Sequence, residues 1–111
     1  MKLESQLSGN TLLIRPINDR IDAAGAIQFK ERMREVIEKP SERVVLDMSN
    51  VLFLDSSGLG ALVSVMKAMG PARRMELSDL TPTVEKVLRL TRMDSVFLIH
   101  KTLPEELRHA G

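Results

Sequence analysis

The stretch Val44-Val45-Leu46-Asp47-Met48-Ser49-Asn50-Val51-Leu52-Phe53-Leu54-Asp55-Ser56-Ser57-Gly58-Leu59-Gly60-Ala61-Leu62 decides how this chain folds. Val44 to Leu46 is apolar without alternation, the pattern of a strand that is covered and central in its sheet. Ser49-Asn50 makes a short polar break, and Val51 to Leu54 is a second apolar step. Asp55, Ser56 and Ser57 follow, all of them N-cap residue types, so a helix is expected to start within a residue or two of Ser57. From Leu59 onward, Leu62, Val63, Met66 and Met69 recur at helical spacing and mark a buried face. The unit is strand, turn and helix, with a serine hydroxyl at the helix N-terminus.

The rest of this helix bears on function. Capping needs one suitable residue, yet Asp55, Ser56 and Ser57 supply three. Ala61, Ser64, Val65 and Ala68 are expected on the outward face, and Lys67 is the only charge between residues 56 and 72. A solvated helix face normally carries more charge than that, so a surface for docking another protein is expected. The competing explanation is a helix buried on both sides.

Upstream, residues 2 to 7 and 11 to 17 flank the turn signal Ser8-Gly9-Asn10 and suggest an antiparallel hairpin. Asn18 to Asp22 breaks the pattern. Asp22 then precedes a helical run with Ala26, Phe29, Met33, Val36 and Ile37 on one face, closed by Pro40. Downstream, Gly70-Pro71 stops the serine helix and Arg73 to Leu77 suits a strand. Thr81 is expected to cap a third helix, with Pro82 at its first position and Val84, Val87 and Leu88 facing inward. Val96 to Ile99 suggests a last strand, and Thr102-Leu103-Pro104-Glu105 a capping box for a short helix ending near Ala110. Strands alternating with helices predict one α/β domain over residues 1–111, a mixed, mostly parallel sheet of about five strands against about four helices.

Composition narrows the function classes. At 111 residues, 43% hydrophobic, the chain suits one domain able to bury a core without staples, and it has no cysteine. Its formal charge is +1 and its aromatics are 3%, all phenylalanine, so neither a basic footprint nor stacking platforms for nucleic acid are present. The amino terminus lacks a signal-peptide pattern, and no apolar run approaches membrane-spanning length, so a cytoplasmic protein is expected.

Enzyme chemistry lacks partners. His100 and His109 are not spaced as a metal pair, and no metal or cofactor is expected. The serines precede their glycines, so this is not the Gly-x-Ser-x-Gly elbow, and no phosphate-binding Gly-x-x-x-x-Gly-Lys-Ser/Thr loop exists. Asp47 follows a strand as a receiver-type phosphoacceptor does, but the pair of adjacent acidic residues that would hold Mg²⁺ after the first strand is missing.

Asp55-Ser56-Ser57-Gly58-Leu59-Gly60, preceded by Val44 to Asp47 and Val51 to Leu54, resembles the signature of the STAS family of anti-sigma factor antagonists. The resemblance extends to Arg20-Ile21-Asp22 and to Val84-Glu85-Lys86-Val87-Leu88. It implies a non-enzymatic switch. By the same resemblance a GHKL-type anti-sigma factor kinase is expected to phosphorylate the first serine after the aspartate, here Ser56 with Ser57 as second choice, and a metal-dependent serine phosphatase of PP2C type to reverse it. The resemblance further implies that the unphosphorylated form binds the kinase and frees the sigma factor. Asp22, Asp55, Ser57, Gly58, Gly60, Ala61, Ser64, Val65 and Ala68 are the expected partner-binding residues, on a monomer or weak dimer. The alternative is a constitutive STAS interaction module in a larger regulatory or lipid-transport complex, with Ser56 only capping. Three places depart from the family pattern: Asn18-Asp19-Arg20 where a glycine is usual, the shortened loop at Gly70-Pro71, and Arg92-Met93 where a helix-ending glycine is common.

Overall fold

Two amino-terminal strands, β1 (Leu3–Ser8) and β2 (Thr11–Pro16), form the expected hairpin, with Gly9 at a φ of +60° in its two-residue turn. Such primed turns need a positive φ, which glycine adopts without steric cost. In this computed structural model, which describes residues 1–108, the elements that follow are β3 (Arg20–Ile21), α1 (Ala26–Val36), β4 (Arg43–Asp47), β5 (Phe53–Leu54) and α2 (Ser56–Met69). The chain continues through β6 (Arg74–Ser78), α3 (Pro82–Leu90), a 3₁₀ turn (Met93–Ser95), β7 (Leu98–His100) and α4 (Glu105–Arg108).

The main sheet has five strands in the order β1-β2-β4-β6-β7, antiparallel only at β1 and β2. β4 is its central strand, and its lack of alternation has a direct cause. Val44 and Leu46 join the core under the first three helices, with Phe29, Met33, Leu62, Val84 and Leu88. Val45, on the opposite face, packs with Leu13, Leu103 and Leu107 beneath α4. Both faces of β4 are therefore apolar.

That second face also carries a polar cluster. Glu76 is 1% exposed and accepts two bonds from Arg43, at 2.6 and 2.8 Å. His100 bonds the same carboxylate, while Arg43 reaches Glu106 on α4 at 3.0 Å. Burial raises the Glu76 carboxyl, but the bonds from Arg43 and His100 outweigh it and hold the group below its ordinary value.

Several expectations require correction. β3 and β5 pair in parallel as a separate two-stranded sheet, where residues 18 to 22 had suggested only a break. Thr81 does not cap α3 with its side chain; its hydroxyl donates to the Val51 carbonyl at 2.6 Å. The last strand is Leu98–His100 rather than residues 96 to 99, because only these three residues pair with the end of β6, Glu76 to Ser78. No capping box forms at Thr102, since α4 starts at Glu105 and the Thr102 hydroxyl accepts from Arg108 at 2.8 Å. His109 and the expected helix end near Ala110 lie outside the described residues.

Candidate phosphorylation and docking site

The site is built where β3, β5 and the start of α2 meet. Asp55 is the N-cap of α2: its backbone is extended (φ −99°, ψ −175°) and its Oδ1 accepts from the Gly58 amide at 2.8 Å. Its Oδ2 accepts from the Ala23 amide at 3.0 Å. One carboxylate thus caps the helix and ties down the turn that leads into α1.

Close approach is possible because residue 58 is glycine. A Cβ there would stand 1.9 Å from the Ile21 carbonyl oxygen and 2.9 Å from a Leu54 methyl. Gly58 is buried, so it shapes the surface without forming part of it.

Ser56 and Ser57 occupy the first two positions of α2, and both are exposed. Among the described residues neither hydroxyl has a partner. Their amides belong to the first turn, where no intrahelical acceptor exists, at the positive end of the helix dipole.

Asp22 stands at the edge of this surface. Its Oδ2 accepts from Arg20 Nε at 3.1 Å and its Oδ1 from the Gly25 amide at 3.3 Å. The Arg20 bond, opposed by a smaller burial effect and aided by Gly25, lowers the Asp22 carboxyl below its usual value. The Arg20 guanidinium lies 4.4 Å from the centroid of the Phe53 ring, on the strand paired with its own.

Sequence reasoning did not place Arg20 and Phe53 at the site. The available signal is their equal spacing, each two residues before an aspartate of the site, which the Arg20 to Phe53 register of β3 and β5 brings side by side.

The outward face of α2 also differs from expectation. Ala61 and Val65 are 4% and 1% exposed and belong to the core, because α2 packs against α1 as well as the sheet. The surface retains Ser56, Ser57, Gly60, Lys67 and Ala68, with Ser64 half-buried. It is narrower than predicted, still carries one charge, and lies next to the two serines. Among the described residues no cluster of three or more His, Asp or Glu would hold a metal, and no helix is long and apolar enough to cross a membrane.

The family model for the STAS domain matches residues 2–106. A STAS-domain containing protein of Pseudomonas aeruginosa is 32% identical over 92 residues, covering 82% of this chain and 89% of that protein. The anti-sigma F factor antagonist of Paenibacillus polymyxa is 24% identical over 102 residues, with 90% and 86% covered. Among solved structures, an anti-sigma factor antagonist from Mycobacterium paratuberculosis superposes with a TM-score of 0.84 at 21% identity, covering 98% and 92% of the two chains. The Bacillus determinant SpoIIAA in its phosphorylated form gives 0.65 at 19% identity, covering 96% of each.

Proposed function

We propose, for this chain that belongs to the STAS family of anti-sigma factor antagonists, that it works in the cytoplasm by partner switching controlled at Ser56. Unphosphorylated, it binds an anti-sigma factor that is a GHKL-type serine kinase and thereby releases the sigma factor. Phosphate on Ser56 ends that binding, and a PP2C-type phosphatase restores it.

The observation that carries this reading is the division of labour between Asp55 and the serines. Asp55 already serves as the N-cap through the Gly58 amide, so α2 needs neither Ser56 nor Ser57 in that role, and both serines are exposed. Capping therefore leaves those hydroxyls unexplained, and access for a kinase explains them.

Electrostatics gives the switch its force. A phosphoserine adds about −1.5 to −2 charge. The helix N-terminus favours that charge, so the fold tolerates it. The interface does not, because the charge arrives next to the Asp55 carboxylate on a face of α2 that carries only Lys67. A penalty of about 3 kcal/mol weakens binding more than a hundredfold. The test is a titration of the purified cognate kinase with the protein before and after phosphorylation. A loss beyond a hundredfold supports the switch, and equal affinities contradict it.

A further inference from the structure

β1 forms one edge of the five-stranded sheet and is bonded to β2 alone. Its ladder is regular, from Leu3 opposite Pro16 to Ser8 opposite Thr11. Just before the strand, the Lys2 carbonyl accepts from the Ile17 amide at 2.9 Å, so the backbone of residue 2 faces β2. Antiparallel bonding alternates along a strand, so Glu4, Gln6 and Ser8 also face β2, while Leu3, Ser5 and Leu7 turn their amides and carbonyls outward. Among the described residues nothing meets those outward groups.

Sheet edges are normally protected by proline, a bulge or several charges. β1 has no proline, keeps an unbroken register and carries Glu4 as its one charge. Leu7 is 50% exposed, on the face that its ladder partner Leu12 turns to the core. On the other face a hollow of about 300 Å³ lies between Glu4, Ser5 and Gln6 and the residues Leu103 and Leu107, so α4 leaves the edge open.

From the unpaired edge and its register we infer that β1 docks antiparallel against β1 of a second copy of this chain, joining the two five-stranded sheets into one. A second copy fits because the edge complements itself. A two-fold axis normal to the sheet at Ser5 sets Ser5 opposite the partner's Ser5 and Leu3 opposite the partner's Leu7. Every outward amide and carbonyl of the strand then pairs, and the exposed Leu7 is covered by a leucine. Neighbouring registers do worse. An axis at Glu4 sets the two glutamates face to face and Leu7 opposite the partner's Met1, outside the strand. An axis at Gln6 sets Leu3 opposite the partner's Gly9, in the turn. The contact is isologous, so association stops at two copies, and it is narrow, so the dimer is a weak one. It uses no residue of the phosphorylation site and does not depend on the partner-switching reading.

Sedimentation velocity of the full chain over a concentration series reads the association, and hydrogen exchange at its two ends reads the register. A monomer–dimer equilibrium is expected, in which the Leu3, Ser5 and Leu7 amides gain about tenfold or more protection at high concentration while those of Glu4, Gln6 and Ser8 are protected throughout. Ser5→Pro removes an outward amide and none of the ladder with β2, and is expected to weaken dimerisation about tenfold or more. The chain has no cysteine, so single cysteines give a second reading that holds even if the proline variant fails to fold. Directly opposed residues have Cα atoms about 5.5 Å apart, within disulfide reach, whereas the two copies of Leu7 stand about 13 Å apart along the strand. Oxidised glutathione is therefore expected to cross-link Ser5→Cys about tenfold or more faster than Leu7→Cys. A monomer at every concentration up to about 1 mM, growth beyond two copies, or a dimer whose Leu3, Ser5 and Leu7 amides still exchange freely overturns the proposal. So does undiminished dimerisation in Ser5→Pro, or equal cross-linking of the two cysteine variants.

Discussion

The Asp55 carboxylate accepts a hydrogen bond from the Ala23 amide, 3.0 Å away and 32 residues earlier in the chain. The same side chain caps α2 through Gly58, so it couples the start of the serine helix to the turn before α1. Asp55→Ala is expected to cost about 1 to 2 kcal/mol of stability, the upper part of the range for a lost N-cap. Hydrogen exchange is expected to quicken at the amides of both Ala23 and Gly58. Denaturant titration with exchange mass spectrometry checks this, and acceleration at Gly58 alone would contradict the coupling.

Gly58 tolerates no side chain. With a Cβ 1.9 Å from the Ile21 carbonyl oxygen, the obstacle is backbone rather than the flexible end of a side chain. Gly58→Ala is expected to lower stability by about 3 kcal/mol, the upper end of what overpacking costs, outweighing alanine's better helix propensity. Gly60→Ala provides the contrast, since nothing lies within 4 Å of its Cβ position. It is expected to stabilise the chain by up to about 1 kcal/mol. A similar effect of the two substitutions on unfolding would contradict this.

Glu76 makes stability depend on pH in the acid range. Its carboxyl is held below the ordinary value in the folded chain, so its contribution is fully present above the unfolded-state value of about 4.3 and is lost as pH falls through the lower folded value. Glu76→Gln breaks the pairing with Arg43 and His100 and is expected to cost about 3 kcal/mol at neutral pH, as removal of one partner from a buried pair does. The variant is also expected to lose less stability than the parent between neutral pH and acid. Parallel acid-unfolding curves would contradict the assignment.

Arg20 sets the charge state of Asp22. Removing its hydrogen bond by Arg20→Ala is expected to raise the Asp22 carboxyl towards the ordinary aspartate value. Carboxyl-carbon NMR across an acid titration reads the shift, and an unchanged Asp22 midpoint would contradict it.

Much of this fold was legible in local chemistry. The unbroken Val44 to Leu46 run has both faces covered, Gly70 ends α2 at a φ of +76°, and Pro82 opens α3. Asp55 was among three eligible caps, and choosing it required the extended backbone and the Gly58 bond. The pairing of β3 with β5 was not legible, because two residues are too short to show a period. Ala61 and Val65 were misplaced for a different reason. Periodicity ranks the faces of a helix by polarity, but it does not count the neighbours around it, and α1 covers a side of α2 that a lone sheet would leave open. The last strand shifted because its register is set by the end of β6, where Glu76 to Ser78 pairs with Leu98 to His100.

The central claim is that Ser56, freed from capping by Asp55, receives the phosphate. The most direct measurement is to incubate the full chain with ATP and its cognate GHKL-type kinase and to map the modified residue by tandem mass spectrometry, with Ser56→Ala and Ser57→Ala treated alongside. The account predicts a single phosphate on Ser56, retained in Ser57→Ala and absent from Ser56→Ala. Phosphate on Ser57, or full incorporation into Ser56→Ala, would contradict it.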